Sequence, residues 1–205
     1  MITIVDYGVG NIGALTNMFD YLGVDSVATA DPGKIAEAGR LLLPGVGAFD
    51  KAMSELRSRG LTAPLNHAVR ERRTPILGIC LGMQLLARRS EEGEEKGLGW
   101  IDADVVRIAR MPGSDLKVPH MGWAEITVKH STPIFPREAT GGRFYFAHSY
   151  HVVCDRPEDT VATMHYGAEM ACAVRSGNVH GAQFHPEKSH RFGMAVLKNF
   201  SELAA

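Results

Sequence analysis

The segment Gly78-Ile79-Cys80-Leu81-Gly82 sets a thiol between two glycines, where the apolar run Pro75 to Ile79 gives way to the helix-forming residues Met83, Leu85, Leu86 and Ala87. The first run reads as a short buried strand and the second as the start of a helix, so Cys80 is expected at the tip of a sharp strand-to-helix turn. Glycines permit the tight backbone and close packing of such a turn. A helix N-terminus favours negative charge, which biases the thiol toward its nucleophilic thiolate form. The other reading of Cys80 is a small core hydrophobe, since free cysteine is often buried. A cysteine nucleophile needs a base, and the base needs an orienting group. "GAQFHPEKS", Gly181 to Ser189, offers both. Ala182 to Phe184 reads as a strand end, and Pro186 restricts His185 to extended backbone. Side chains two apart on an extended chain point the same way, so Glu187 can hold one ring nitrogen of His185 protonated and leave the other as the base. The alternative is a histidine that merely ends a strand, with an exposed Glu-Lys pair after it.

These residues must be positioned by the elements around them. Ile2 to Val5 is a β-branched run ending at Asp6 and a glycine-rich turn, and Asn11 to Leu22 has apolar residues at helical spacing. Val27 to Ala30 is a weak second strand, and Arg40 to Leu43 is a third that ends in the loop "PGVGAF". Ala48 to Arg59 and Leu61 to Arg73 are expected helices leading to the Ile76 strand. Such alternation implies an α/β fold with a mostly parallel sheet covered by helices. "EEGEEKGLG" reads as a polar, mobile loop, and short strand-like runs dominate after Trp100: Val105 to Ile108, Ala124 to Val128, Arg143 to Phe146, His151 to Cys154, Val161 to His165, Ala171 to Val174 and Val179 to Phe184. Additional antiparallel strands are therefore expected in the C-terminal half, with Gly193 to Leu203 as a closing helix. No repeat or low-complexity linker divides the chain, and residues 1–205 are expected to form one domain.

Composition bounds the partners. With 22 Lys and Arg against 23 Asp and Glu, the formal net charge of −1 leaves no general footprint for nucleic acid or an anionic membrane surface. The clusters Arg70 to Arg73 and Arg88-Arg89 read as solvated helix faces. Three cysteines, Cys80, Cys154 and Cys172, make a disulfide framework a poor expectation. The N-terminus lacks a basic region followed by an apolar one, and no apolar stretch approaches the ~18 residues of a membrane span. A reducing, cytoplasmic setting is expected, which keeps a catalytic thiol usable.

The joint pattern resembles the class I, or triad-type, glutamine amidotransferases: "GICLGMQ" at 78 to 84, "FHPEKS" at 184 to 189 and "LLPGVGAF" at Leu42 to Phe49 stand in the family's order. The resemblance implies a glutaminase in which Cys80 is the nucleophile, His185 the base and Glu187 its orienting group. The backbone N–H groups of Leu81 and Val46 would form the oxyanion hole. Gly47 and Gln84 would lie beside the bound L-glutamine, with His148, Ser149 and Tyr150 lining the same pocket, and no cofactor is required. "IVDYGVGNIGAL", "PGVGAF", "VPHMGW" at Val118 to Trp123 and "FYFAHSY" at Phe144 to Tyr150 further resemble the glutaminase subunits of imidazole glycerol phosphate synthases, from about residue 2 to residue 200. That branch implies a heterodimer with a (β/α)₈ cyclase that uses the ammonia, with Asn11, His120, Met121, Trp123 and Lys188 near the partner face where ammonia leaves. "FHPEKSHRFGM" and "RFYFAHSYHVVC" also resemble a branch that supplies ammonia for amidino groups on nonulosonic acids and other surface sugars.

A rival from another class is a dinucleotide-binding oxidoreductase. Gly8-Val9-Gly10-Asn11-Ile12-Gly13 is a formal G-x-G-x-x-G after a strand, and Asp31 lies 18 residues beyond its last glycine. Against it, Asp31 precedes Pro32-Gly33, and "GICLGMQ" and "HPEKS" stay unexplained. Nine histidines raise the question of metal, but there is no H-E-x-x-H and no paired C-x-x-C, so no metal site is expected.

Overall fold

The computed structural model describes residues 1–109 and 116–204. Strands and helices alternate through the first half: β1 (Ile2–Val5), α1 (Ile12–Tyr21), β2 (Ser26–Thr29), α2 (Pro32–Ala36), β3 (Leu41–Gly45), α3 (Phe49–Ser58), α4 (Thr62–Asn66), β4 (Ile76–Cys80) and α5 (Leu81–Leu85). The second half is strand-rich: β5 (Ala103–Arg107), β6 (His120–Val128), β7 (Arg143–His148), β8 (Tyr150–Cys154), β9 (Thr160–Tyr166), β10 (Ala168–Ser176) and β11 (Val179–Ala182), closed by α6 (His190–Ser201). One nine-stranded sheet runs in the order β2-β1-β3-β4-β11-β10-β9-β6-β7, and β5 pairs with β8 as a separate ribbon.

The expected α/β class is the one formed. β2, β1, β3, β4 and β11 are parallel, and β10, β9, β6 and β7 extend the same sheet antiparallel. β11 joins the two halves. It comes late in the chain yet pairs in parallel with β4, Ala182 opposite Ile79, and so delivers the residues after it to the Cys80 end of β4.

Both faces of the parallel half are apolar. Leu41 and Leu43 of β3 join one core with Phe49, Met53 and Leu56 of α3. Leu42 faces the other core, with Phe19 of α1 and Val196, Leu197 and Phe200 of α6. A strand covered on both sides reads as a continuous apolar run, which is why β3 and β4 are legible without polar alternation. Burying each such leucine contributes about 1.5–3 kcal/mol.

Three local expectations are corrected and one element is added. The helix read across Leu61 to Arg73 ends as α4 at Asn66 and continues as a π-helical turn, His67–Glu71, which lets Thr74 N–H reach the Ala68 carbonyl at 2.9 Å. The polar loop read as mobile is pinned to α3: Glu92 Oε2 accepts from Phe49 N–H at 2.9 Å, and Asp50 accepts from the N–H groups of Glu94 and Glu95 at 3.0 Å each. Arg88 and Arg89 lie beyond the end of α5 rather than on a helix face, paired with Asp104 and, for Arg88, Asp155. The short helix α2 was not expected at all; Asp31 caps it. Among the described residues, no helix is long and apolar enough to cross a membrane.

Candidate active site

The C-terminal ends of β3, β4 and β11 converge, the usual place for a ligand on an open parallel sheet. Cys80 ends β4 and starts α5 with φ 54° and ψ −110°, a conformation that a residue with a Cβ adopts only where its surroundings enforce it. The flanking glycines supply that enforcement. A Cβ on Gly78 would lie 2.5 Å from the Gly82 carbonyl oxygen, and one on Gly82 would collide with the Leu43 carbonyl oxygen of β3. Every residue of α5 is buried, so its first N–H groups are fixed beside the sulfur. With only five residues, α5 adds little macrodipole, and direct donors must do more than the sequence reading assigned to the helix end.

His185 follows β11 by three residues and is held twice by β7: its N–H donates to Tyr145 O at 2.9 Å, and Tyr145 N–H donates to Ser189 Oγ at 3.0 Å. The fully buried Ser189 hydroxyl then donates to His185 O at 2.6 Å, which closes the turn Pro186–Lys188. His185 Nδ1 lies 2.9 Å from Glu187 Oε1, and because a carboxylate only accepts, Nδ1 carries the proton and Nε2 is left for the thiol. Burial opposes a charged imidazole here. Hydrogen bonds and charge from Cys80 and Glu187 outweigh it and push the His185 pKa up to about 9.

A pocket of about 300 Å³ opens over Cys80 and His185, and Val46, Gly47, Leu81, Gln84, His148, Ser149, Tyr150 and Lys188 all line it. His148 Nδ1–H donates to Tyr150 O at 2.8 Å, and burial lowers its pKa to about 4, so the ring is neutral. Its buried Nε2 has no partner among the described residues and can accept an N–H from a ligand. Of the residues expected at a partner face, Asn11 is exposed, as are Met121 at 65% and Trp123 at 40%. Trp123 stacks on His190 at 5.3 Å. His120 lies beneath this face, buried against Tyr166 and Phe146.

Three further residues belong to the site that sequence reasoning did not select. Glu92 is the one acid lining the pocket among the described residues. The buried Tyr7 hydroxyl donates to Pro44 O at 2.6 Å and fixes the end of β3. Gln183, fully buried, donates to the Cys80 sulfur at 3.8 Å. Tyr7 and Gln183 each lie inside a motif that had been singled out for its neighbours. Glu92 lies in the loop read as mobile.

The dinucleotide reading fails on Asp31. Its carboxylate accepts from Gly33 N–H at 2.8 Å and Lys34 N–H at 3.1 Å as the cap of α2, so it is committed to the fold. Gly10 packs instead on Pro44, whose ring atoms would lie 3.0–3.1 Å from an added Cβ.

Comparison with known proteins agrees with this geometry. Residues 3–203 match the family model described as glutamine amidotransferase class-I. The chain is 48% identical over 203 residues to imidazole glycerol phosphate synthase subunit HisH 2 of Pseudomonas aeruginosa, covering 99% of this chain and 100% of that protein. It is 46% identical over 204 residues to the corresponding subunit HisH of Bdellovibrio bacteriovorus, covering 99% and 100%. A crystal structure of a glutamine amidotransferase superposes with a TM-score of 0.73 over 99% of this chain and 100% of that one, at 19% identity, which shows a shared fold. By sequence along nearly its whole length, and by the fold that sets a cysteine elbow against a His-Glu pair, this chain belongs to the class I glutamine amidotransferases.

Proposed function

We propose that the chain is the glutaminase subunit of an imidazole glycerol phosphate synthase, hydrolysing L-glutamine to glutamate and passing ammonia to a separate (β/α)₈ cyclase subunit in histidine biosynthesis. The observation that carries the chemistry is the juxtaposition of Cys80 and His185 in one amino-acid-sized pocket, with Glu187 held against Nδ1 of the His185 ring. The acceptor reading draws on relatives 46% and 48% identical along their full lengths that carry this subunit's name.

His185 Nε2 takes the proton of Cys80, and the thiolate attacks the carboxamide carbon of glutamine. Charge develops on the carboxamide oxygen, for which Leu81 N–H and a turned Val46 N–H are the donors. Collapse of the tetrahedral species breaks the C–N bond as His185 returns its proton to nitrogen, and ammonia leaves a γ-glutamyl thioester. Water, deprotonated by His185, attacks the thioester carbon. Glutamate departs and the thiol is restored. A glutamine analogue with an electrophile in place of its amide tests the reading: it should label Cys80 alone, with Cys154 and Cys172 untouched, and a different site of labelling would sink the assignment.

Glu92 fits the substrate's other end. One carboxylate oxygen is held by Phe49 N–H, which orients the group and leaves the second oxygen for the α-ammonium of glutamine. Replacing Glu92 by Gln should raise KM for glutamine about 10–100-fold, the worth of one charge-assisted hydrogen bond, with a much smaller change in kcat. Steady-state kinetics separate the two, and a loss confined to kcat would move Glu92 out of the ammonium subsite.

The raised pKa of His185 sets the alkaline limb of activity. The imidazolium must be present to protonate departing ammonia, so turnover should fall as pH rises through about 9. In Glu187→Gln the negative charge is lost and a neutral acceptor remains, so the limb should move down, by less than the full shift because Cys80 also raises the value. A kcat profile with the limb unmoved would remove Glu187 from the role of orienting group.

A further inference from the structure

We propose that Gln183 is a positioning residue for the nucleophile, donating a hydrogen bond to the Cys80 sulfur while its other end accepts from the Gln84 amide that the Tyr150 carbonyl orients. The proposal rests on Cys80 being the nucleophile.

Gln183 follows β11 and is fully buried, its N–H donating to Cys172 O at 2.9 Å. A buried carboxamide is costly unless each end is partnered, so its orientation carries information. The orientation can be read from a fixed point. Tyr150 O is a backbone carbonyl and can only accept, so the Gln84 atom 3.0 Å from it must be Nε2. The second hydrogen of that nitrogen goes to Gln183 Oε1 at 3.1 Å. Gln183 Nε2 is thereby turned to the Cys80 sulfur at 3.8 Å. The chain of donors begins at a carbonyl and ends on the nucleophile.

Two consequences follow for the reaction. The sulfur has neighbours that act in opposite senses: the Ala147 carbonyl, 4.0 Å away, can accept from a thiol but offers nothing to a thiolate, whereas Gln183 Nε2–H favours the thiolate. Gln183 therefore offsets the carbonyl at the point where a five-residue helix supplies little field. At the other end, both hydrogens of Gln84 are committed, so Oε1 is the polar atom left for the pocket that Gln84 lines. An oxygen there accepts from the carboxamide NH₂ of glutamine and repels the carboxylate of glutamate, which favours substrate over product.

Alkylation of Cys80 by iodoacetamide as a function of pH tests this in the full-length chain carrying Cys154→Ala. Cys172 is fully buried and should not compete. The probe reads the thiolate directly and does not depend on turnover. Both Gln183→Leu and the nearly isosteric Gln183→Glu should move the acidic limb of the alkylation profile upward, slowing alkylation below the limb on the order of tenfold for a shift of one pH unit. Gln183→Glu should shift it further, because a carboxylate opposes a neighbouring thiolate. Should Gln183→Leu fail to fold, Gln183→Glu decides alone, with its melting temperature measured alongside. An unmoved limb in a folded Gln183→Glu protein overturns the proposal. Failure of the Cys154→Ala parent to be labelled at Cys80 by the electrophilic glutamine analogue is a separate result and would overturn the nucleophile assignment instead.

Discussion

Cys80→Ser and Cys80→Ala are expected to reduce glutamine-dependent turnover by at least about 10⁴-fold, because removing a nucleophile removes the covalent route and leaves only binding and the oxyanion donors. Serine makes the sharper test. It keeps the size and the hydrogen-bonding capacity, yet its hydroxyl is far less acidic than a thiol, and a His185 tuned to about 9 is matched to a thiolate partner. The backbone should be unaffected, since the elbow is set by the close approach of Gly78 to Gly82 and of Gly82 to Leu43 and not by the sulfur. With free ammonia supplied to the complex, both variants should retain nearly full synthase activity, which separates loss of glutaminase from loss of assembly. Near-normal glutamine hydrolysis by either variant would mean that Cys80 is not the nucleophile. Cys154→Ala and Cys172→Ala are the controls, and both should retain the chemistry.

The elements around Cys80 were legible because each has a local cause in the chain. β3 and β4 are covered on both faces and read as unbroken apolar runs. The Cys80 turn is marked by glycines whose absent side chains make room for backbone. The His185–Glu187 contact follows from i and i+2 geometry under the restriction of Pro186. What could not be read was order in space. Nothing local to Val179–Ala182 says that it pairs with β4 and not only with its chain neighbour β10, although that pairing brings His185 to Cys80.

The missed site residues have the same origin. Glu92 sits in a stretch whose glutamates look interchangeable, and only the long-range bond to Phe49 N–H distinguishes it from its neighbours. Gln183 looks like an interior strand residue until its amide is traced through Gln84 to Tyr150, contacts that span 99 and 66 residues of chain. Asp31 shows the converse. Its spacing from Gly13 imitates a ribose ligand, while its local sequence, Asp-Pro-Gly-Lys, is that of a helix cap.

The isolated chain is expected to hydrolyse glutamine slowly and to gain about 10²–10³ in rate when a cyclase carrying its nucleotide ligand docks, the amount at stake when one oxyanion donor is missing or supplied. Unused ammonia is wasteful, which gives a glutaminase subunit a reason to wait for its partner. The movable part can be located. Pro44 is held by the Tyr7 hydroxyl at 2.6 Å and packed by Gly10, so the loop is anchored at its start. Gly45 cannot be altered cleanly, since a Cβ there would lie 2.7 Å from Gly82 N. The N–H that must turn is that of Val46, in the Gly45-Val46 peptide, and the adjoining Gly47 supplies the conformational freedom on the open side of the loop. Val46 is 45% exposed at the pocket rim, where a partner could press on it, and Gly47 has φ 96°, a value that glycine adopts freely. A Cβ on Gly47 would meet nothing within 4 Å, so Gly47→Val perturbs conformational freedom without a clash. It should lower the stimulated kcat by more than tenfold, a larger effect than any rise in KM for glutamine, because it acts on a donor used in the transition state. Trp123→Ala, which trims the exposed face without touching the pocket lining, should weaken docking and leave the slow basal rate as it was. Assays of the chain alone, with a cyclase, and with a sugar-modifying synthase decide among the outcomes. Full activity in isolation would sink the switch, and stimulation by the sugar-modifying synthase alone would reassign the acceptor to surface-sugar chemistry while leaving the glutaminase intact.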